Sequence, residues 1–264
     1  MRRKTQIIIT ALILGIAALG FLIWSANKGI NTPLFLDAKS NAYEALIFAE
    51  EQLIDFSPKP TSAKFAQSVT NNAAALKLMR AALEKPFEAP ESTYDNQLIN
   101  TVLGNIGRFK TLALAAKCEG VLAERNGDFP SAARSYVDII RLGQKVQAGP
   151  LIFMLIGVSI ERIGVEALEQ LEPKLVNPAR SQIASTLKEL NEVRVPFEEV
   201  EWRERYLRRR ASPTPIHSLI FTRHVRAAIE KGKQKHTQAY QSLGALASKL
   251  AQPVPAVPNG APGE

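Results

Sequence analysis

The sequence predicts an all-α protein, and three observations carry that expectation. Composition is the first: the chain is 46% hydrophobic but only 7% aromatic, with abundant Ala and Leu, which lose little side-chain freedom in a helix. Spacing is the second. Apolar residues recur at i, i+3, i+4 and i+7 in segment after segment, and Pro, Gly and Asn fall between the segments. The third is that no alternating apolar–polar run bounded by turn residues reads as a strand. With 264 residues, 22% of them charged, the chain is long and apolar enough to bury a core.

The first element is a transmembrane helix. Arg2, Arg3 and Lys4 precede an uncharged stretch of 18 residues running from Ile7 through Leu14 and Phe21 to Trp24. As a helix it spans about 27 Å, close to the ~30 Å of a bilayer's hydrocarbon core. A cleaved signal peptide is the rival reading, with a shorter apolar run of ~7–15 residues and small residues before its cleavage site. Here Trp24-Ser25-Ala26 puts Trp where a small residue should stand, and Trp suits the membrane interface. Positive residues stay on the cytoplasmic side, and Lys28 is the lone cation just past the run. Residues 1–27 are therefore expected to be a cytoplasmic tip and single-pass anchor in a bacterial inner membrane. The body is expected in the periplasm, or otherwise outside the cytoplasm, beyond a linker at 28–37.

Residues 38–251 read as an α-helical domain. The first helix is expected over 38–55, with Tyr43, Leu46, Ile47, Leu53 and Ile54 on one face. "SPKPT" breaks it, and Thr61 can cap a helix over 62–85. After "KPFEAPES" a helix is expected over 93–126, kinked near Gly104 and Gly107. Asn126-Gly127-Asp128 reads as a tight turn with Gly at a left-handed helix end, and 130–147 as the next helix, with Pro130 in its first turn. Gly149-Pro150 resets the chain before "LIFMLIGVSI". Only ten residues pass before Glu161, too few to cross a bilayer, so 151–171 reads as a core helix. Asn177-Pro178 signals a start, with Asn as cap and Pro as first helical residue. Helices near 179–193, 197–210 and 215–250 follow. The tail, 252–264, has no core-forming pattern and reads as disordered or polyproline-like.

The stretch "AERNGDFPSAARSYVDIIRLG" resembles the turn and second helix of a tetratricopeptide repeat. Gly120 fits the glycine where two helices approach, and Ala132 and Tyr136 fit the A-x₃-aromatic step. Ala116, Glu119 and Ala123 stand where Trp, Leu and Tyr are expected, and Gln144 replaces the closing proline. No second copy follows at 34-residue spacing. The expected body is therefore an irregular helical array or bundle with one tetratricopeptide-like hairpin. Two stretches, "NAYEALIFAEEQL" and "LALAAKCEGVLAERNGDFPSAARSYVDIIRLGQKVQAGPLIFMLIGVSIE", also resemble an uncharacterised bacterial family of membrane-anchored helical proteins. That resemblance implies a fold and a location and supplies no catalytic residues.

Chemistry is sparse. The chain has no H-E-x-x-H, C-x-x-C, G-x-G-x-x-G, P-loop or G-x-S-x-G motif. Gly157-Val158-Ser159-Ile160-Glu161 approaches the last but lies in a predicted core helix, and Ser185-Thr186-Leu187-Lys188 lacks the partner motifs of a penicillin-binding site. His217 and His224 are seven residues apart, whereas metal-binding pairs on a helix use i, i+4 spacing. Cys118 shares a helix face with Ala115 and Leu122 and reads as a core thiol. No catalytic, cofactor-binding or metal-ligating residue emerges, and no cofactor is expected.

Charge is more informative. Arg203, Arg205, Arg208, Arg209, Arg210, Arg223, Arg226, Lys231, Lys233 and Lys235 share residues 202–236 with only two acids, Glu204 and Glu230. The segment carries +8, the whole net charge of the chain. The segment reads either as a solvated basic helix pair or as a focused field that can recruit anionic partners. The extracytoplasmic placement argues against nucleic acid and leaves lipid headgroups, acidic glycans or acidic protein surfaces. Glu198, Glu199 and Glu201 could supply a carboxylate pair, but they are expected to form a solvated face or to pair with the arginines that follow them. The expected function is a membrane-anchored scaffold or interaction protein of the cell envelope with a protein partner. The rivals are an envelope enzyme acting on cell-wall polymers through scattered helix residues, and a purely structural envelope protein.

Overall fold

The computed structural model describes residues 41–54, 56, 64–89, 99–211 and 215–252, which form nine α-helices and no strand. The predicted anchor residues Ile7, Leu14, Phe21 and Trp24 lie outside these, as do the linker and the tail from 253. Among the described residues no helix is long and apolar enough to cross a membrane.

Helix α1 (Ala42–Glu51) starts at Asn41, whose Oδ1 accepts from Tyr43 N at 3.0 Å and from Glu88 N at 3.0 Å. One side chain thus caps the helix and fastens it to the chain at Glu88. Tyr43 and Leu46 are buried as expected, whereas Ile54 lies past the helix and is exposed. Tyr43 meets Phe87, Phe109 and Phe153 edge-on, with ring centres 5.7–6.0 Å apart. Four aromatics thus meet at one junction, where edge-to-face contacts add to area burial.

The single helix expected over 62–85 is two: α2 (Phe65–Asn71) and α3 (Ala73–Leu83). The break is at Asn72, which is buried. Its amide accepts from Ile54 N at 2.7 Å and donates to Ile54 O at 3.0 Å and Ser68 O at 2.7 Å. A backbone 18 residues away is satisfied by this side chain, and no local spacing reports such a tie.

The remaining helices follow the sequence closely. α4 (Ile99–Arg125) runs as one helix through Gly104 and Gly107. Gly127, at φ +76°, makes the turn, and Asp128 accepts from Ser131 N at 3.0 Å to open α5 (Phe129–Gln147). α6 (Leu151–Leu171) continues into a short 3₁₀ turn, Glu172–Lys174. α7 (Ala179–Glu192) spans the range expected near 179–193, but with Pro178 rather than Asn177 at the cap position, within the usual scatter of helix ends. α8 (Phe197–Ala211) and α9 (Pro215–Ala251) complete the fold.

The most extensive packing is α5 against α6, followed by α4 against α5 and α9 against α7. α9 also covers α6, and α1 packs on α3 and α4. Glycines set the α5–α6 seam. A Cβ on Gly143 would stand 2.5 Å from Glu161 N and 2.6 Å from Gly157 O, and one on Gly164 would stand 2.7 Å from Tyr136 O. The two backbones touch, and a side chain at these points has no room. On the neighbouring contact, Gly120 makes space for the Tyr136 ring, and Ala132 is fully buried.

Arg180 ties α9 to the 3₁₀ turn. Its guanidinium donates to Lys249 O at 2.9 Å and pairs with Glu172 Oε1 at 2.5 Å, while Lys249 Nζ reaches Glu172 Oε2 at 3.0 Å. The hydrogen bond from Lys249, joined by Arg180, holds the Glu172 carboxyl below the usual carboxylate range. A cation from α7 thus satisfies carbonyls at the C-terminal end of α9, where the helix dipole is negative.

Candidate functional site: a groove and a cationic helix

A groove of about 870 Å³ is bounded by α3, α4, α5 and α7. Its α7 wall presents Ile183, Thr186, Leu190 and, just past the helix end, Val193, spaced three, four and three residues apart, with Glu189 beside them. Val193 is 75% exposed at the rim, a large apolar side chain left in water. The facing wall is charged. Arg80 reaches from α3 to Glu119 on α4 and donates through Nε to Asp138 on α5 at 2.6 Å. Ser135 Oγ donates to Glu119 at 2.7 Å. Burial opposes the charge of Arg80, but its bonds to Glu119 and Asp138 more than offset this, so its pKa is raised.

Glu119 and Asp138 therefore serve as acceptors for one arginine. Arg141 bonds Glu84 at 2.7 Å. Arg134 differs: it is exposed, its bond is to Ser131 Oγ at 2.8 Å, which in turn donates to Asp128, and among the described residues no carboxylate makes a direct ion pair with it, although its charge helps to lower the Asp128 pKa. It also lines a smaller recess of about 400 Å³ with Pro130, Ala179 and Gln182. The two hollows share Arg134, Ile183 and Thr186, so the groove is continuous.

A second polar cluster is closed to solvent. Arg194, just after α7, lies in the core with its side chain 3% exposed, paired with Glu161 of α6 at 2%. Arg194 Nη1 donates to Glu161 Oε2 at 2.9 Å and to Gln147 Oε1 at 3.0 Å, while Gln147 Nε2 donates to Glu161 at 2.6 Å. Arg194 Nε and Asn191 Oδ1 have no partner among the described residues. Its bonds join α5, α6 and the α7–α8 loop.

His236 of α9 is buried beside it and lies 3.1 Å from Val195 O through Nε2. A carbonyl only accepts, so Nε2 carries the proton. Burial, helped by Arg194 and opposed by the bond to Val195 O, Glu161 and Glu198, lowers its pKa below the ordinary 6.5. The folded chain thus resists protonation more than the unfolded one. The resulting stability is present above about pH 6.5 and is lost as the pH falls from there toward the folded value. His236→Gln keeps a donor for Val195 O but does not titrate. Denaturant unfolding should show the stability difference, wild type minus variant, falling between pH 7 and pH 5; a constant difference would remove His236 from the pH response.

The predicted basic residues divide into groups. Arg203 is half-buried, bonding Ala148 O at the end of α5 and Glu199 at 2.6 Å, and Arg205 pairs with Glu201. These i, i+4 pairs are those the glutamates were expected to make. Between them, buried Glu204 accepts from Leu151 N at 3.0 Å and so caps α6 from α8. Arg226, Lys231, Lys233 and Lys235 are exposed on α9. Arg208, Arg209, Arg210 and Arg223 lie on helices whose side chains at those positions fall outside the description, as do those of His217 and His224.

Cys118 is buried, and burial raises its thiol pKa. Ser185 and Lys188 are exposed on α7. No group of three His, Cys, Asp or Glu side chains that could hold a metal ion occurs among the described residues. No family model, curated protein or solved structure matches the chain.

Proposed function

We propose that the chain is a membrane-anchored, extracytoplasmic helical scaffold of the bacterial envelope that binds a protein segment in the groove between α5 and α7. The observation that supports this reading is the groove's two-sided character. One wall is an apolar stripe at helical spacing, Ile183, Leu190 and Val193, with Glu189 beside it; the other holds exposed Arg134, which makes no direct ion pair among the described residues. An amphipathic segment meets such a groove with apolar side chains on one face and a carboxylate on the other. Two of the groove's three carboxylates, Glu119 and Asp138, are taken up by Arg80, and the third, Glu189, accepts from Ser185 Oγ at 3.3 Å, an arrangement that favours binding over proton transfer. In this reading α4 and α5, with Gly120 against Tyr136 and Ala132 buried between helices, are a tetratricopeptide-like hairpin in an irregular array, and the apolar run from Ile7 to Trp24 is the anchor.

The test is site-specific photocrosslinking in native membranes. A photoreactive residue at Val193 should yield defined adducts, and one at Val176, which is 68% exposed and does not line the groove, should not. Arg134→Glu should abolish the Val193 adducts at unchanged thermal stability. Equal adducts from both positions, or adducts indifferent to Arg134→Glu, would remove the groove as a binding site.

A further inference from the structure

We infer that the exposed cations of α9 form a contact surface for anionic phospholipid headgroups. The inference deepens the anchored-scaffold reading and rests on it, since the anchor is what places the body at a bilayer. From Arg226 to Leu243 the helix buries one stripe only, Gly232, His236 and Leu243, with Ala228, Ile229 and Ala239 partly buried beside them. The rest of its circumference faces solvent.

At 100° per residue, the exposed cations fall into two rows flanking this stripe. Arg226 and Lys233 are seven residues apart, and Tyr240, 50% exposed, continues their row after another seven. Lys231 and Lys235, four apart, form the other row. The crest between the rows carries Ala227, Gln234, Thr237, Gln238 and Gln241, with Glu230 its one acid.

None of the four cations pairs with a carboxylate among the described residues. Arg203 and Arg205, by contrast, are committed to Glu199 and Glu201 and are excluded from the surface. The crest has no large apolar side chain to insert between acyl chains. Long cationic side chains on both flanks reach a surface of phosphates while the polar crest stays in the headgroup layer. Tyr240 suits that layer, where an aromatic body and a hydroxyl are both accommodated. Each Lys or Arg near an anionic surface adds a small, salt-screened attraction. Four such contacts bind weakly from free solution and effectively once a tether raises the local concentration.

The experiment uses the full chain reconstituted into two sets of vesicles, pure phosphatidylcholine and phosphatidylcholine with phosphatidylglycerol. A water-soluble acetylating reagent is read by mass spectrometry at Lys231, Lys233 and Lys235, normalised to exposed Lys77 and Lys188 on α3 and α7. On anionic vesicles the three α9 lysines should label at least about threefold more slowly than on neutral ones, and high salt should erase the difference. In the double variant Arg226→Gln/Lys233→Gln, protection of Lys231 and Lys235 should weaken. Equal labelling on both vesicle types overturns the inference. So does protection by soluble polyglutamate without protection by anionic vesicles, which would assign the surface to an acidic protein. Flotation on neutral vesicles reports the anchor separately: a chain that leaves neutral vesicles but keeps anionic-specific protection loses the anchor and retains the headgroup surface.

Discussion

Arg194→Ala should cost the fold roughly 3–5 kcal/mol, because it leaves the Glu161 carboxylate buried without its cation. Both side chains are almost wholly enclosed, at 3% and 2% exposure, so water cannot take the arginine's place without opening the core. Gln147 Nε2 remains as one donor to Glu161, at 2.6 Å, and a single neutral amide does not offset a charge. For a domain of this size that loss corresponds to a fall in melting temperature of the order of 10 °C. Exposed pairs give the contrast. Arg162 and Glu166 are 77% and 52% exposed, and Arg162→Ala should cost less than about 1 kcal/mol.

A buried pair need not be stabilising in total, since removing two charges from water is itself costly. The double variant Arg194→Met/Glu161→Leu should therefore lose much less than the sum of its single variants. Denaturant midpoints for the four proteins decide the matter. Additive losses would show that the two charges are not coupled. A small loss for Arg194→Ala alone would show that solvent reaches the cluster.

How much of this was legible in the sequence differs element by element. The helices from α4 onward were readable to within a residue or two at most described ends, because Gly127, Gly149-Pro150 and Pro196 punctuate strongly periodic segments. The break at Asn72 was not. The side chain that interrupts the helix satisfies the backbone of Ile54, and that need arises only once α1 and α3 pack. The pairing of Arg203 with Glu199 and Arg205 with Glu201 was local and therefore predictable. Glu204 was counted among charges, yet it is buried as the cap of α6. Its partner, Leu151 N, is 53 residues away.

The groove was invisible for the same reason: its walls are brought together from four helices. The Glu161–Arg194 pair, however, left a trace in the sequence. Met154, Gly157, Glu161, Gly164 and Leu168 are spaced three, four, three and four apart, and all five are buried. A charge in phase with an apolar stripe must be buried, and a buried charge needs a partner. The sequence reading treated Glu161 as the end of an apolar run rather than as a member of the stripe.

That stripe also locates the second large effect, Gly157→Ala. In an exposed helix interior this change stabilises, because Ala is about 1 kcal/mol better than Gly in helix propensity. Gly104 and Gly107 of α4 are such positions, with nothing within 4 Å of an added methyl, and Gly107→Ala should stabilise by roughly 0.5–1 kcal/mol. At Gly157 the same methyl runs into Gly143 O and stands 2.7 Å from Gln147 N. These are backbone atoms of α5, which cannot rotate aside as a side chain can, so α5 and α6 must separate. Overpacking of this kind typically costs about 1–3 kcal/mol, and separation along the seam also loosens the contacts at Gly143 and Gly164. The methyl further stands 2.7 Å from Gln147 Cγ, on the side chain that bonds both Glu161 and Arg194. Gly157→Ala should therefore be non-additive with Arg194→Ala, the double variant losing less than the two losses combined, because each already disturbs the same cluster. Opposite signs for Gly157→Ala and Gly107→Ala in one unfolding series would confirm that the backbones of α5 and α6 meet at this glycine. A stabilising Gly157→Ala would mean that the helices are held apart by their side chains, and the glycine seam would no longer explain why α5 and α6 make the most extensive contact in the fold.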